Sequence, residues 1–345
     1  MAHLQDASPA TLRRLVSDLA PALRDATIDP LPVMAVQPRW CRGACLVGAT
    51  HVLKVCWSTE AEAPLRLQSQ LLPILSGFDP DLPTPVPVAA SDDPVALLYE
   101  RLPGVPLTYD EAGRLDKTRQ AALAHQIAGA LGALHSDALR AACDRSGVRF
   151  GRPQPQASTR ELRNRLAPRL DSVTSAWLFT TLAWVDRALA SPSADVVLHG
   201  DFHGYNLVID DQVQLVGVLD FEETGLGPVE FDFRYLPRQS PHLGLLDDVM
   251  HAYEARSGRA LDIEAIFAWH VLTDLGDALW RTEAGVEVVA GPIEKRIADL
   301  RILLAQRGIC HLRVPEPRSA PTGDDDPVAL PRHDEVPTGR SSMRA

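Results

Sequence analysis

Apolar positions change rhythm near residue 100. Before it they fall in short runs broken by Pro and Gly, at residues 33–36, 45–47, 51–57 and 95–99. Runs of this length between turn formers predict strands of an antiparallel sheet. Two helical patterns accompany them. Leu12, Leu15, Val16 and Leu19 follow Ser8-Pro9, a capping residue and a first-turn proline. Residues 60–75 carry Leu65, Leu67, Leu71, Leu72 and Leu75 at mostly helical spacing. Residues 80–87, with prolines at 80, 83, 85 and 87, read as an extended connector.

After Pro103-Gly104 the apolar period lengthens. Residues 117–135 place Ala122, Ile127, Leu131 and Leu134 on one side of a long helix. Helices are also predicted at 159–170, 177–190, 243–255, 262–281 and 293–307. Short apolar runs at 196–198, 207–209 and 214–219 interrupt them, the last two around the charged turn Asp210-Asp211-Gln212. From about residue 314 the chain is rich in Pro, Gly, Ser and charge, including Asp324-Asp325-Asp326. Such a segment buries too little apolar surface to offset its ordering entropy. The expected organisation is α+β: a sheet-containing N-terminal lobe (1–102), a larger, mainly helical lobe (103–313) and a disordered tail (314–345).

Composition narrows the functional classes. The chain has 345 residues, 46% hydrophobic and 23% charged, the balance of a globular protein with room for two lobes. No apolar run approaches the roughly 20 residues of a membrane span. The first 30 residues lack the apolar core of a secretory signal, so a cytoplasmic location is expected. A net charge of -11 argues against nucleic acid and suits a cationic or neutral ligand. The five cysteines are irregularly spaced; Cys41 and Cys45 sit four apart with no second pair to complete a zinc set.

The candidate chemistry lies in His199-Gly200-Asp201-Phe202-His203-Gly204-Tyr205-Asn206, which follows the 196–198 strand, and in Asp220, which closes the 214–219 strand. Two carboxylates and a carboxamide thus stand at the mouths of neighbouring strands. Phosphoryl transfer needs such a set: one carboxylate orients a hydroxyl and accepts its proton, while hard oxygens hold Mg2+ against the phosphates. Asp201 is the candidate base; Asn206 and Asp220 are the candidate metal ligands.

This ordered pattern resembles the aminoglycoside phosphotransferase family of the protein-kinase-like superfamily. The resemblance rests on His199, Asp201, Asn206 and Asp220, with Leu198 before them and Gly225-Leu226-Gly227-Pro228 and Asp232 after. It spans about residues 33–307 and implies a bilobal protein-kinase-like fold using ATP and Mg2+. It further implies that Lys54, within the apolar Val52-Leu53-Lys54-Val55 strand, contacts ATP phosphates. A glycine-containing hairpin, Arg42-Gly43-Ala44-Cys45, would lie over them, and Glu100, Arg101 and Leu102 would form the hinge that meets adenine. In such kinases a glutamate on the following helix pairs with the lysine, and the matching position here is Gln68, a neutral amide. His199 and Asp232 are expected to brace the loop.

On the acceptor side, Asp274 and Asp277 share a helix face that is either a solvated surface or, if near the site, one that would attract an aminated substrate, and Glu222 and Glu223 are further candidates for substrate contact or for support behind Asp220. Acceptors of such enzymes include aminoglycosides, macrolides, amino alcohols and sugars. Two alternatives stay open. Gln68 and the single-glycine loop suit a nucleotide-binding pseudokinase that acts as a sensor. His199-x-Asp201-x-His203 has the form of a transition-metal cluster for hydrolysis, although that reading leaves Asn206 and Asp220 unexplained.

Overall fold

Ser8 caps the first helix, α1 (Pro9–Leu19), its hydroxyl accepting from the Thr11 amide at 3.2 Å. The computed structural model describes residues 8–31, 42–190, 193–239, 244–286 and 291–309. The predicted strand at 33–36, the tail at 314–345, Cys41 and Cys310 lie outside these. Five strands follow α1: β1 (Ile28–Pro30), β2 (Arg42–Val47), β3 (His51–Cys56), β4 (Pro87–Asp92) and β5 (Val95–Glu100). They form one antiparallel sheet in the order β1-β2-β3-β5-β4. Period-two alternation makes both faces apolar. Leu12, Leu15 and Val16 of α1 pack on Cys45, Val47, Leu53, Val55 and Leu98. Helix α2 (Thr59–Leu75) covers the other face, where Leu65 and Leu72 join Leu97 and Tyr99.

Two expectations change here. Residues 42–45 are strand, not hairpin: Gly43 pairs with Val55 and Ala44 with Lys54, while the turn falls at 48–50. Gly43, Cys45 and Val47 are buried and Ala44 and Leu46 only partly so, the alternation of a half-buried strand. β4 was not expected, because Pro87 and its polar residues read as connector. Its position at the sheet edge explains it, since a first-residue proline is tolerated there.

The chain then runs through β6 (Val105–Pro106), α3 (Tyr109–Gly113), α4 (Lys117–Leu134) and α5 (Asp137–Arg145). The helix expected over 159–170 breaks into one α turn, α6 (Thr159–Glu161), a π turn (Leu162–Leu166) and a 3-10 turn (Ala167–Arg169). Pro168 lies in that last turn, and its ring crowds the carbonyl four residues back. Next come α7 (Ser172–Ala188), β7 (Asp195–Leu198), β8 (Leu207–Ile209), β9 (Leu215–Val218) and β10 (Gly225–Pro228). The remaining helices are α8 (Glu230–Phe233), α9 (Leu236–Gln239), α10 (Gly244–Ser257), α11 (Ile263–Ala284) and α12 (Ile293–Gln306).

α4 packs on α10, and α11 runs through the helical core with Ile266, Phe267, Val271 and Leu275 fully buried. β7 pairs with β10, and β6, β8 and β9 form a three-stranded sheet. The 199–206 loop therefore leaves β7 and enters β8, while Asp220 follows β9. The Leu219 amide donates to Asn206 O at 2.8 Å and ties the two strand ends together. Among the described residues no helix is long and apolar enough to cross a membrane.

Candidate active site

The 199–206 loop is fixed from beneath. Asp232, fully buried, accepts from the His199 amide at 2.7 Å, the Gly200 amide at 2.9 Å and the His135 ring at 3.1 Å. Burial opposes its charge, but His135, His199 and the Gly200 amide hold its carboxyl below the usual range. Nε2 of His199 lies 2.7 Å from Leu219 O, which can only accept, so that nitrogen carries the proton; Nδ1 then accepts from the Asp201 amide at 3.2 Å. Burial pushes the His199 pKa down and keeps the ring neutral. Both ring nitrogens are thereby occupied, which turns His199 away from the transition-metal reading. Gly200 has φ +84°, and a Cβ there would sit 1.9 Å from Glu223 O, so only glycine lets the loop lie against the 221–223 turn.

Asp201 stands at the centre. One oxygen accepts from the Tyr235 hydroxyl at 2.9 Å; the other lies 3.3 Å from His203 Nε2 and 3.5 Å from Asn206 Nδ2. Burial would raise its pKa, but His203 foremost, then Arg234 and Tyr235, hold it well below the usual carboxylate range. Reciprocally, burial depresses His203 and Asp201 more than offsets it, so the imidazole pKa is raised. Asn206 donates to Asp201 O at 2.9 Å, which directs its amide nitrogen at the loop and leaves its carbonyl oxygen as the metal-capable atom. Asp220 adopts the left-handed backbone region at φ +63°, an unusual conformation for a non-glycine residue.

Lys54, with its side chain 13% exposed, reaches across from the sheet. Its ammonium donates to Gln68 Oε1 at 3.0 Å, Asp220 Oδ1 at 2.9 Å and Glu222 Oε1 at 2.8 Å. Burial opposes that charge, yet Asp220 and then Glu222 raise the Lys54 pKa above its ordinary value. Gln68 indeed faces the lysine, and the ion-pair partners are Asp220 and Glu222, which flank Phe221. Glu222, expected near substrate, is instead buried against Lys54, whereas Glu223 lines the cleft. Two other acidic residues at the start of α2 do not reach the lysine: Glu62 is turned to Arg66 at 3.4 Å and Glu60 is exposed.

Lys54, Asp201, His203, Asp220, Glu223 and Tyr235 line one cleft of about 700 Å3 between the sheet and the helices. Gly43, Ala44 and Lys54 wall one end, and α11 and α12 the other. A Cβ on Gly43 would lie 2.0 Å from the Trp57 ring, so glycine at this position serves strand–ring packing. Glu100, Arg101 and Leu102 do not line the cleft. The first two donate their amides to Val86 O and Thr50 O, each at 2.8 Å, and Leu102 packs over Gly217. The donor set is all hard oxygen at Asp201, Asn206 and Asp220, which fits Mg2+ sharing phosphate oxygens. Among the described residues no cluster of three or more His, Cys, Asp or Glu side chains could hold a metal unaided.

The far end departs from the predicted acidic face. Asp274 pairs with Arg238 and, at 3.3 Å, with Arg296; Asp277 pairs with Arg281 and Arg296, each at 2.9 Å. Two carboxylates thus serve three guanidiniums. His270 donates from Nδ1 to Arg234 O at 2.8 Å, so its Nε2 is a lone pair, and burial pushes the ring pKa down to about 4. Nε2 of His270, Oγ1 of Thr273, Oδ2 of Asp274 and Nε of Arg296 are buried without a hydrogen-bond partner among the described residues. All four side chains line the cleft. Tyr235, His270, Arg238 and Arg296 were not singled out as site residues from sequence, and His203 only as part of the transition-metal alternative. Residues 270, 273, 274, 277 and 281 do share helical spacing, a signal that was available; Arg296 enters from α12 with none.

A family model described as APH, phosphotransferase enzyme family, matches residues 44–275. No curated protein sequence matches the chain. The fold is similar to the GDP complex of aminoglycoside 2'-phosphotransferase-IIIa, with a TM-score of 0.67 at 17% identity, covering 88% of this chain and 99% of that one. It is also similar to ADP-bound aminoglycoside phosphotransferase APH(2'')-Ib, with a TM-score of 0.56 at 18% identity over 87% and 97%. Macrolide 2'-phosphotransferase MphH from Brachybacterium faecium gives 0.55 at 19% identity over 89% and 99%.

Proposed function

The chain belongs to the APH phosphotransferase enzyme family, and from that membership we propose that it moves the γ-phosphoryl group of Mg2+-bound ATP to a hydroxyl of a small molecule. The observation that carries this reading is the convergence of Asp201, Asp220 and Lys54 on one cleft, with Asn206 bonded to Asp201 behind it. Asp201 orients the acceptor hydroxyl and takes its proton as the new P–O bond forms and ADP leaves. The depressed pKa of Asp201 keeps it ionised for that role. Asn206 and Asp220 would hold Mg2+, which supplies charge neutralisation at the phosphates when bound. Lys54 neutralises further phosphate charge, with Gly43 and Ala44 of the neighbouring strand walling that end of the cleft. Two similar structures carry ADP and GDP, so GTP belongs beside ATP in any assay.

For the acceptor, the similar structures include aminoglycoside and macrolide phosphotransferases. Here Asp274 and Asp277 already face three arginines, which leaves little net negative charge for a polycation. The unmatched His270 Nε2 and Asp274 Oδ2 both accept, so they call for a neutral O–H or N–H donor. The acceptor is therefore a polyhydroxylated, weakly charged molecule, such as a sugar or a glycosylated macrolide, with Glu223 at the cleft edge. The pseudokinase alternative drew on Gln68 and the single-glycine loop, and the Glu222 carboxylate beside Lys54 answers the first of these.

A mass-spectrometric screen with ATP or GTP, Mg2+ and mixed aminoglycosides, macrolides, amino alcohols and sugars tests the reading. Asp201→Ala should lower transfer by about 10^2–10^4-fold, the usual share of a general base, while nucleotide binding persists. Transfer at the wild-type rate in that variant would refute the mechanism.

A further inference from the structure

Lys54 has three donors and three partners, and the partners differ in kind. Gln68 comes from α2 and is neutral; Asp220 and Glu222 come from the turn after β9 and are charged. They also differ in exposure. The Asp220 side chain is 30% exposed and faces the cleft, whereas Glu222 is 1% exposed. Glu222 sits in the 3-10 turn Phe221–Glu223, against which α2 packs. An aspartate that serves a cation at the phosphates cannot also fully compensate a buried ammonium, and a neutral amide supplies only a dipole. The rest of the compensation for that lysine comes from a carboxylate set back from the cleft, and Glu222 is that carboxylate.

We infer that Glu222 is the positioning residue for Lys54, so that the lysine is aimed by the helical lobe's own turn and α2 contributes only a neutral hydrogen bond. This rests on the phosphotransfer reading for the role of Lys54 itself. It goes beyond it in assigning the anchor to a side chain two residues after Asp220. A consequence is that movement of α2 does not switch the lysine between charged and uncharged partners. The anchor and the Asp220 ligand travel together on one turn.

The test moves the carboxylate back to the helix. Glu222→Gln, nearly isosteric, should raise the nucleotide KM at least about tenfold, the size of one charge-assisted hydrogen bond, with the acceptor KM unchanged. Gln68→Glu added to Glu222→Gln restores one anion beside Nζ and should recover most of that loss. Gln68→Glu alone places three carboxylates around one ammonium and should weaken nucleotide binding rather than strengthen it. In a Lys54→Met background, Glu222→Gln should change nucleotide affinity no further, a measurement that also serves if the single variant folds poorly. The inference is overturned if Glu222→Gln keeps the wild-type nucleotide KM. It is equally overturned if the loss is uniform across both substrates and the double variant, folded by thermal melt, recovers nothing. Direct titration with Mg-ADP reads the same series, so a wild-type protein that phosphorylates no acceptor would sink the functional reading and still leave the anchor tested.

Discussion

The two ends of the cleft are built on opposite terms. At the Lys54 end the ammonium meets three partners at 2.8–3.0 Å, and its charge is compensated before any ligand arrives. At the α11–α12 end four buried polar atoms meet none among the described residues. A buried polar atom left unmatched costs about 1–3 kcal/mol, so the second wall gains by binding something and the first is already organised. On the proposed function the difference separates tasks: the nucleotide side is fixed by the protein, and discrimination among acceptors falls to His270, Thr273, Asp274 and Arg296.

Substitutions at each end should therefore fail differently. Lys54→Met removes the one cation among Gln68, Asp220 and Glu222. Steady-state kinetics should show kcat/KM for nucleotide falling about 100-fold or more, since more than one charged hydrogen bond is lost, with little change in acceptor KM. Asp232→Asn attacks the loop that both ends share. It weakens two backbone amide bonds and the His135 contact, so urea denaturation should record a loss of about 2–4 kcal/mol. Thr273→Val tests the unmatched wall: acceptor KM should rise about three- to tenfold, one neutral hydrogen bond, with nucleotide KM unchanged. A Thr273→Val protein that instead loses nucleotide affinity would erase the division.

The smallest effect concerns pH. Burial holds the His270 pKa near 4, against about 6.5 in an unfolded chain. The unfolded state thus binds the extra proton first. The stability linked to His270 is complete above about pH 6.5 and is lost as pH falls toward 4. Asp274 favours the proton while Arg238 and Arg296 oppose it. His270→Gln should flatten that acid limb in melts taken across the interval; an unchanged slope would place the titration elsewhere.

Much of this architecture was legible because it obeys periodicity. Helices α2, α4, α11 and α12 and strands β3 and β5 appeared as apolar repeats near their observed limits. The pieces missed are those where sequence pattern and environment part company. β4 is a polar edge strand that needs only one paired neighbour, and the 162–169 turns are a proline-broken helix. In the site, the motif spacing brought Asp201, Asn206 and Asp220 together, and Lys54 stood out as a lysine in an apolar strand. Glu222 could not be assigned, because its role depends on a lysine 168 positions away. Of the arginines that pair with Asp274 and Asp277, only Arg281 shows in the α11 spacing; Arg238 and Arg296 could not be counted, because they arrive from α9 and α12.

The seal that α1 places over the sheet has a chemical consequence. Cys45 lies beneath Leu12, Leu15 and Val16, 1% exposed, and burial pushes its thiol up to about 11. A protonated, covered sulfur is a poor nucleophile toward peroxide or disulfides. So long as α1 is docked, the strand that borders the nucleotide end is protected from oxidation. The rate at which a thiol reagent labels Cys45 would then be a clock for the undocking of one helix.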